Sequence, residues 1–323
     1  MTNAKTKGGL FSSLVFLALL LTFAAVVLSA YLRLENIGLG CADWPSCFGY
    51  LAQTRPTGLV PASPAGAVHR ITASLLGVVV LVITLMALRG RRPRGVGVLV
   101  PLLVFALTVF LSVLGYSTPS PDLPAVTLGN LGGGMAMLAL LWWMGQRAVE
   151  TVEPDSPPGL RIWTLSALVL LIVQIGLGAW SSANFAGPSC PELPGCGGDW
   201  QSLENLRQGF DLTTRLAIDE SGRVITGTVQ QGLHMVHRLG ALVTLVFLIA
   251  VAVRTMTADA RFRVTAITIM VLLLIQVGVG VSAVLSDLPL LLVTTHNALA
   301  ALLLLALVNL NHLATPSRPL GTE

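Results

Sequence analysis

The sequence predicts an all-α integral membrane protein, with eight transmembrane helices forming two tandem, pseudo-symmetric four-helix bundles. Three observations predict it. Of the 323 residues, 11% are charged and 54% hydrophobic, whereas a soluble domain carries about 25% charge. Eight apolar runs are long enough to cross a bilayer core, which takes roughly 20 residues as a helix. Three landmarks recur in the same order in the two halves of the chain.

The first span, Leu10–Leu32, follows Lys5 and Lys7, as a signal peptide would. Its run is long and no small-x-small cleavage site follows in a natural place, so it is read as a retained helix. The second and third, Gly66–Leu88 and Val96–Tyr116, flank "RGRRPRG" at 89–95, and the fourth is Pro124–Gly145. These make a first half, 1–145. A polar, proline-bearing linker, 146–160, leads to a second half, 161–323, with spans Arg161–Ala183, Gln230–Val253, Val264–Leu285 and Leu290–Leu313. The longest loop, about 184–229, contains "WQSLENLRQGFDLTTRLAI". That segment is expected to form a short helix on the membrane surface or over the bundle.

Charge sets the expected topology. Lys5, Lys7, Arg89, Arg91, Arg92, Arg94, Arg147, Arg161, Arg254, Arg261, Arg263 and Arg318 fall on one side. Arg33, Arg55, Arg207, Arg215 and Arg223 fall on the other. The basic excess marks the cytoplasmic side. The expectation is a multi-pass protein of the plasma (cytoplasmic) or inner membrane, in contact with its lipid, with both termini cytoplasmic and the cysteine loops outside. The net charge of +4 is spread between apolar runs and gives no basis for nucleic-acid binding.

The repeat is read from three pairs. "AYLRLENIGLGCADWPSCFG" corresponds to "AWSSANFAGPSCPELPGCGG", "AVHRITASLLG" to "MVHRLGALVTL", and "VTLGN" to "VTTHN". Four spans per copy leave both copies in one orientation, as in parallel repeats about an axis along the membrane normal. Each copy carries a Cys-x5-Cys loop: Cys41 with Cys47, and Cys190 with Cys196. An outer location permits a disulfide in each. Such a link staples the loop over the bundle mouth, or serves a redox role if strained or exposed.

Histidines inside a membrane mark candidate functional sites. His69, His234, His237 and His296 all lie near the outer ends of even-numbered spans. His237 and His296 sit at similar depth, roughly 10 Å in at 1.5 Å per residue. Each taken alone is equally well a hydrogen-bonding residue between helices. As a pair they favour a haem held between two imidazoles over zinc, which wants three or four close ligands. Arg70 and Arg238 follow histidines directly; each either pairs with a haem propionate or snorkels to the headgroups. His312, at the cytoplasmic end, is read as interfacial.

The chain resembles the haem A synthase family of cytochrome oxidase assembly proteins over nearly its whole length. The resemblance rests on "GLGCADWPSCFG", "GAWSSANFAGPSCPELPGCGGDW", "HMVHRLGALV" and "VTTHNALAAL". It implies a resident haem B on His237 and His296, and a substrate haem O in the first half. There a methyl group would be oxidised to the formyl of haem A, for oxidase assembly. It also implies a disulfide between Cys41 and Cys47, His69 as substrate-haem ligand, and partners such as haem O synthase, with a possible homo-oligomer. Two positions depart from the family pattern. Gly66 stands where the family has glutamate, and Gly129 where it has a second histidine. His234 occupies the Gly66 position of the second copy and is a candidate polar neighbour of the haem B site. The departures keep two other readings open: a haem-binding or haem-transfer assembly factor without catalysis, and a b-type electron carrier. Gly132, Gly133 and Gly134 either make room for a flat ligand or permit close helix packing.

Overall fold

The computed structural model of the chain describes residues 2–36, 64–117, 123–149, 157, 159–220 and 224–315. These form helices α1 (Thr2–Asn36), α2 (Pro64–Leu88), α3 (Leu99–Ser117), α4 (Pro124–Ala148), α5 (Leu160–Ala183), α6 (Leu203–Gly209), α7 (Thr228–Ala258), α8 (Ala260–Leu285) and α9 (Leu290–Leu313). Each expected span coincides with a helix; most ends move by a few residues, and α1 begins well before Leu10, at Thr2. The short α6 lies in the segment of the long loop expected to be helical. Strand pairing among the described residues is limited to a bridge between Ile218 and Val224.

Local chemistry sets the ends. Proline, which has no N–H to satisfy, stands at the start of α4, where the first turn lacks acceptors anyway. Gly90, at φ +66°, closes α2: its N–H bonds Ala87 O and the Arg91 N–H bonds Met86 O, a Schellman pair. One residue, Asp259, separates α7 from α8, and its carboxylate accepts the Arg261 N–H at 2.9 Å. Ser202 caps α6 by accepting from the Asn205 N–H.

Seven helices among the described residues are long and apolar enough to cross a membrane. The eighth, α3, has 19 residues, a rise of roughly 28 Å against a bilayer core of about 30 Å. Their outward faces carry bare aliphatic side chains, such as Ile71 at 68% exposure and Val264 at 75%. Hydrocarbon is the solvent that suits such faces. The chain is a multi-pass integral membrane protein.

The helices pack as two rings with the same neighbour order. In the first, α1 packs on α2, α2 on α3, α3 on α4 and α4 on α1. In the second, α5 packs on α7, α7 on α8, α8 on α9 and α9 on α5. Between rings, α4 meets α9, α1 meets α9 and α4 meets α5. Exchanging the rings maps this set of contacts onto itself, the signature of a two-fold pseudo-axis.

Burial is uneven along that axis. The main apolar cluster draws Phe11 and Val15 from α1, Ile83 from α2, Leu138 and Leu141 from α4, Phe262 from α8 and Leu307 from α9. All lie in the half of each helix nearer the start of α1 and the end of α9. Polar ties join the same end: Asn311 donates to Thr164 O at 2.9 Å, and Asn309 to Thr265 Oγ1 at 2.8 Å. Arg254 covers the Trp163 ring, and Arg147 lies 6.0 Å from the Trp143 ring centre. Tryptophan with arginine at one level is the composition of a membrane interface. His312, read as interfacial, meets Trp143 edge-on at 5.4 Å.

At the opposite end two small clusters bridge the rings. One joins Leu34 of α1 to Phe185, Leu216 and Val224, with Leu288, Leu290 and Val293 beside them. The other joins Trp180, Ala186 and Leu233, with Ala125 and Leu128 of α4 packed on it. The loop of residues 184–227 thus spans both rings.

Candidate functional site

The second ring brings histidines to its diagonal. α7 and α9 are not side-by-side neighbours; α5 and α8 separate them on either side. His237 is on α7 and His296 on α9, both in the part of the helix away from the main core. Each ring is held by the neighbouring helix. The Gln174 carboxamide nitrogen on α5 lies 3.0 Å from His237 Nδ1 and donates to the His237 carbonyl at 3.0 Å. The Gln276 carboxamide nitrogen on α8 lies 3.2 Å from His296 Nε2.

Glycines make these contacts possible. A Cβ on Gly178 would stand 2.8 Å from His237 Cε1, and one on Gly280 would stand 2.9 Å from His296 Cε1. Real side chains do not approach so closely, so the Cε1 edge of each imidazole occupies space that any residue other than glycine would fill. His296 Nδ1 is buried and unpaired, as are Gln174 Oε1 and Gln276 Oε1. Buried polar atoms are ordinarily paired, and these three beside the diagonal histidines make the pair a candidate site.

His234 lies one turn before His237, buried, with Nδ1 3.1 Å from the Ala186 carbonyl. Arg238 turns to the loop instead. Its guanidinium donates to Cys190 O at 2.6 Å, Glu192 O at 2.7 Å and Gly195 O at 3.1 Å. That loop is closed by a Cys190–Cys196 disulfide with Cα atoms 5.2 Å apart. Arg238 thus threads the disulfide loop to the histidine helix, a link that sequence position alone did not reveal. Trp180 braces the same region by donating to Gly209 O at 2.7 Å.

The first ring presents a different diagonal. His69 is half-buried on α2 and Arg70 is exposed, its Nε 3.4 Å from the Gly66 carbonyl. On α4, a Cβ at Gly129 would meet Leu114 Cδ2 at 3.2 Å, and one at Gly133 would meet Leu111 at 2.6 Å. Gly134 lets α4 approach Val26 of α1, where a Cβ would stand at 2.8 Å. Helix packing therefore accounts for Gly133 and Gly134, while Gly132 faces open space. Cys41 and Cys47 lie outside the described residues.

Sequence reasoning missed Gln174, Gln276, Gly178 and Gly280. A signal was present, because "QIGLG" at 174–178 and "QVGVG" at 276–280 share one pattern. It also used Arg33 for topology only. Arg33 donates to Ser182 Oγ at 2.9 Å across the rings, and its Nη2 is buried and unpaired.

Among the described residues, no group of three or more His, Cys, Asp and Glu side chains converges to hold a metal ion. The donor set is two imidazoles on diagonal helices. That suits a planar metallocycle with two axial ligands rather than a tetrahedral ion.

The chain matches known proteins along most of its length. The family described as cytochrome oxidase assembly protein matches residues 66–308. The chain is 32% identical over 318 residues to haem A synthase of Shewanella oneidensis, covering 93% of this chain and 95% of that protein. It is 26% identical over 192 residues to haem A synthase of Halalkalibacterium halodurans, covering 56% of this chain and 62% of that one. The chain belongs to the haem A synthase family of cytochrome oxidase assembly proteins.

Proposed function

We propose that this protein is a membrane oxidoreductase that converts a methyl group of haem O to the formyl group of haem A for cytochrome oxidase assembly. The observation that carries the reading is the 32% identity to a haem A synthase over 93% of the chain. The net change is R–CH3 + H2O → R–CHO + 4 H+ + 4 e−, so the site must pass on four electrons and four protons.

The second ring would hold haem B between His237 and His296. The unpaired His296 Nδ1 and the diagonal placement support that assignment. Bound there, haem B supplies one-electron transfer. His69 would ligate the substrate haem in the first ring. Gly66 cannot carry a proton and Gly129 cannot ligate iron, so His69 would be the one strong protein ligand offered to the substrate haem. Arg70 is the candidate propionate partner on that side. Arg238 would act on propionates only through the disulfide loop that it holds. The arginine-rich end faces the cytoplasm in this reading, and the histidine end faces outward.

A second reading rests on one observation. Leu114 and Leu111 line α4 where a ligand-bearing helix face would be, which favours a haem-binding assembly factor without oxidation chemistry. Expression with a haem O supply, followed by extraction and identification of haems, separates the two. Haem A above background supports the synthase. Haem B alone, lost on His237→Ala or His296→Ala, supports the binding factor.

A further inference from the structure

Each of the two diagonal histidines, His237 and His296, meets the same pair of groups on a different helix: a glutamine and, four residues on, a glycine. Gln174 and Gly178 serve His237, and Gln276 and Gly280 serve His296. In each glutamine the nitrogen faces the imidazole, while the oxygen is buried and unpaired. A half-turn of the carboxamide exchanges the two, since they differ little in shape. For Gln174 that turn trades its bond to the His237 carbonyl for one to the ring.

Iron bound through one imidazole nitrogen leaves an N–H on the other, and that N–H needs an acceptor to fix the ring. Water is scarce at this depth. The glutamine oxygen, brought round by that half-turn, is an acceptor within reach of each ring. We infer that Gln174 and Gln276 are positioning residues that accept this N–H from His237 and His296, in slots that Gly178 and Gly280 keep clear. The inference rests on the proposed haem B site and adds to it how the ligands are oriented and their donor strength set.

The first ring supplies an internal control. With Asp122-Leu123-Pro124 aligned on Asp287-Leu288-Pro289, Leu111 takes the place of Gln276 and Gly115 that of Gly280. With Cys41 aligned on Cys190, Ala25 takes the place of Gln174. The ring that lacks one histidine lacks both carboxamides.

The test uses the full-length protein with its resident haem, purified in detergent. The variants are Gln174→Leu, Gln276→Leu, Gln174→Glu and Gln276→Glu. The readouts are haem content, haem midpoint potential and the low-spin electron paramagnetic resonance spectrum. A stronger acceptor makes imidazole a better donor and favours ferric iron. The leucine variants are therefore expected to raise the potential and the glutamate variants to lower it, each with altered g-values. If a leucine variant sheds haem, the matching glutamate variant is expected to retain it, and its failure to do so overturns the inference. Unchanged potentials and spectra, or shifts of one sign for leucine and glutamate, also overturn it. Haem that survives His237→Ala and His296→Ala overturns the haem B assignment itself. Haem that needs both histidines but ignores the glutamines overturns the positioning role alone.

Discussion

The two rings share a scaffold and differ at their diagonals. In the second, α7 and α9 carry His237 and His296, each seated against a glycine and faced by a glutamine. In the first, α2 and α4 carry His69 and Gly129, and leucines occupy the flank of α4. Neighbour order is identical, so helix packing does not require the site residues. The frame is shared while the residues set on it differ. On the proposed reading, the second ring keeps a prosthetic group and the first lets one come and go.

The sharpest break in that comparison comes from the ligands. His237→Ala or His296→Ala should reduce bound haem at least about tenfold, since axial ligands and their partners dominate retention. His69→Ala should leave most of the resident haem in place. Pyridine haemochrome assay of the purified proteins checks both, and equal losses would erase the distinction between rings. Next in size is conversion of the first diagonal toward the second. Gly129→His alone should gain little, because its Cβ lands 3.2 Å from Leu114. Combined with Leu114→Ala and Gly66→Glu it should raise haem A yield several-fold, measured by chromatography of extracted haems.

Smaller effects probe packing. Gly134→Val should destabilise by about 1–3 kcal/mol through collision with Val26, whereas Gly132→Ala, facing open space, should be neutral or slightly stabilising. Thermal unfolding in detergent compares them. A loss smaller than that of Gly134→Val is expected from Asn311→Met, which gives α9 the residue that α4 has at the matching position, Met144. It removes the bond to Thr164 O, worth about 0.5–1 kcal/mol inside a membrane.

Most of the frame was legible because hydrocarbon imposes a simple rule: backbone must be helical where it crosses. The eight apolar runs therefore map onto helices, and the histidines stood out because ionisable groups in those runs are rare. The glutamines were harder to read. Gln174 and Gln276 are single polar residues in apolar helices, and only the pairing of α5 with α7 and of α8 with α9 gives them a partner. The loop contacts of Arg238 were hidden for a related reason. Its neighbours are backbone carbonyls of a loop whose path no periodicity encodes. The triple glycine at 132–134 was left open between room and packing, and the structure divides it: two glycines pack and one faces space.

The main apolar cluster lies away from every histidine of the second ring's diagonal. Its consequence concerns tolerance to change. Helix association is secured at one end of the bundle, so side chains on the diagonal at the other end can be exchanged with little cost to the main cluster.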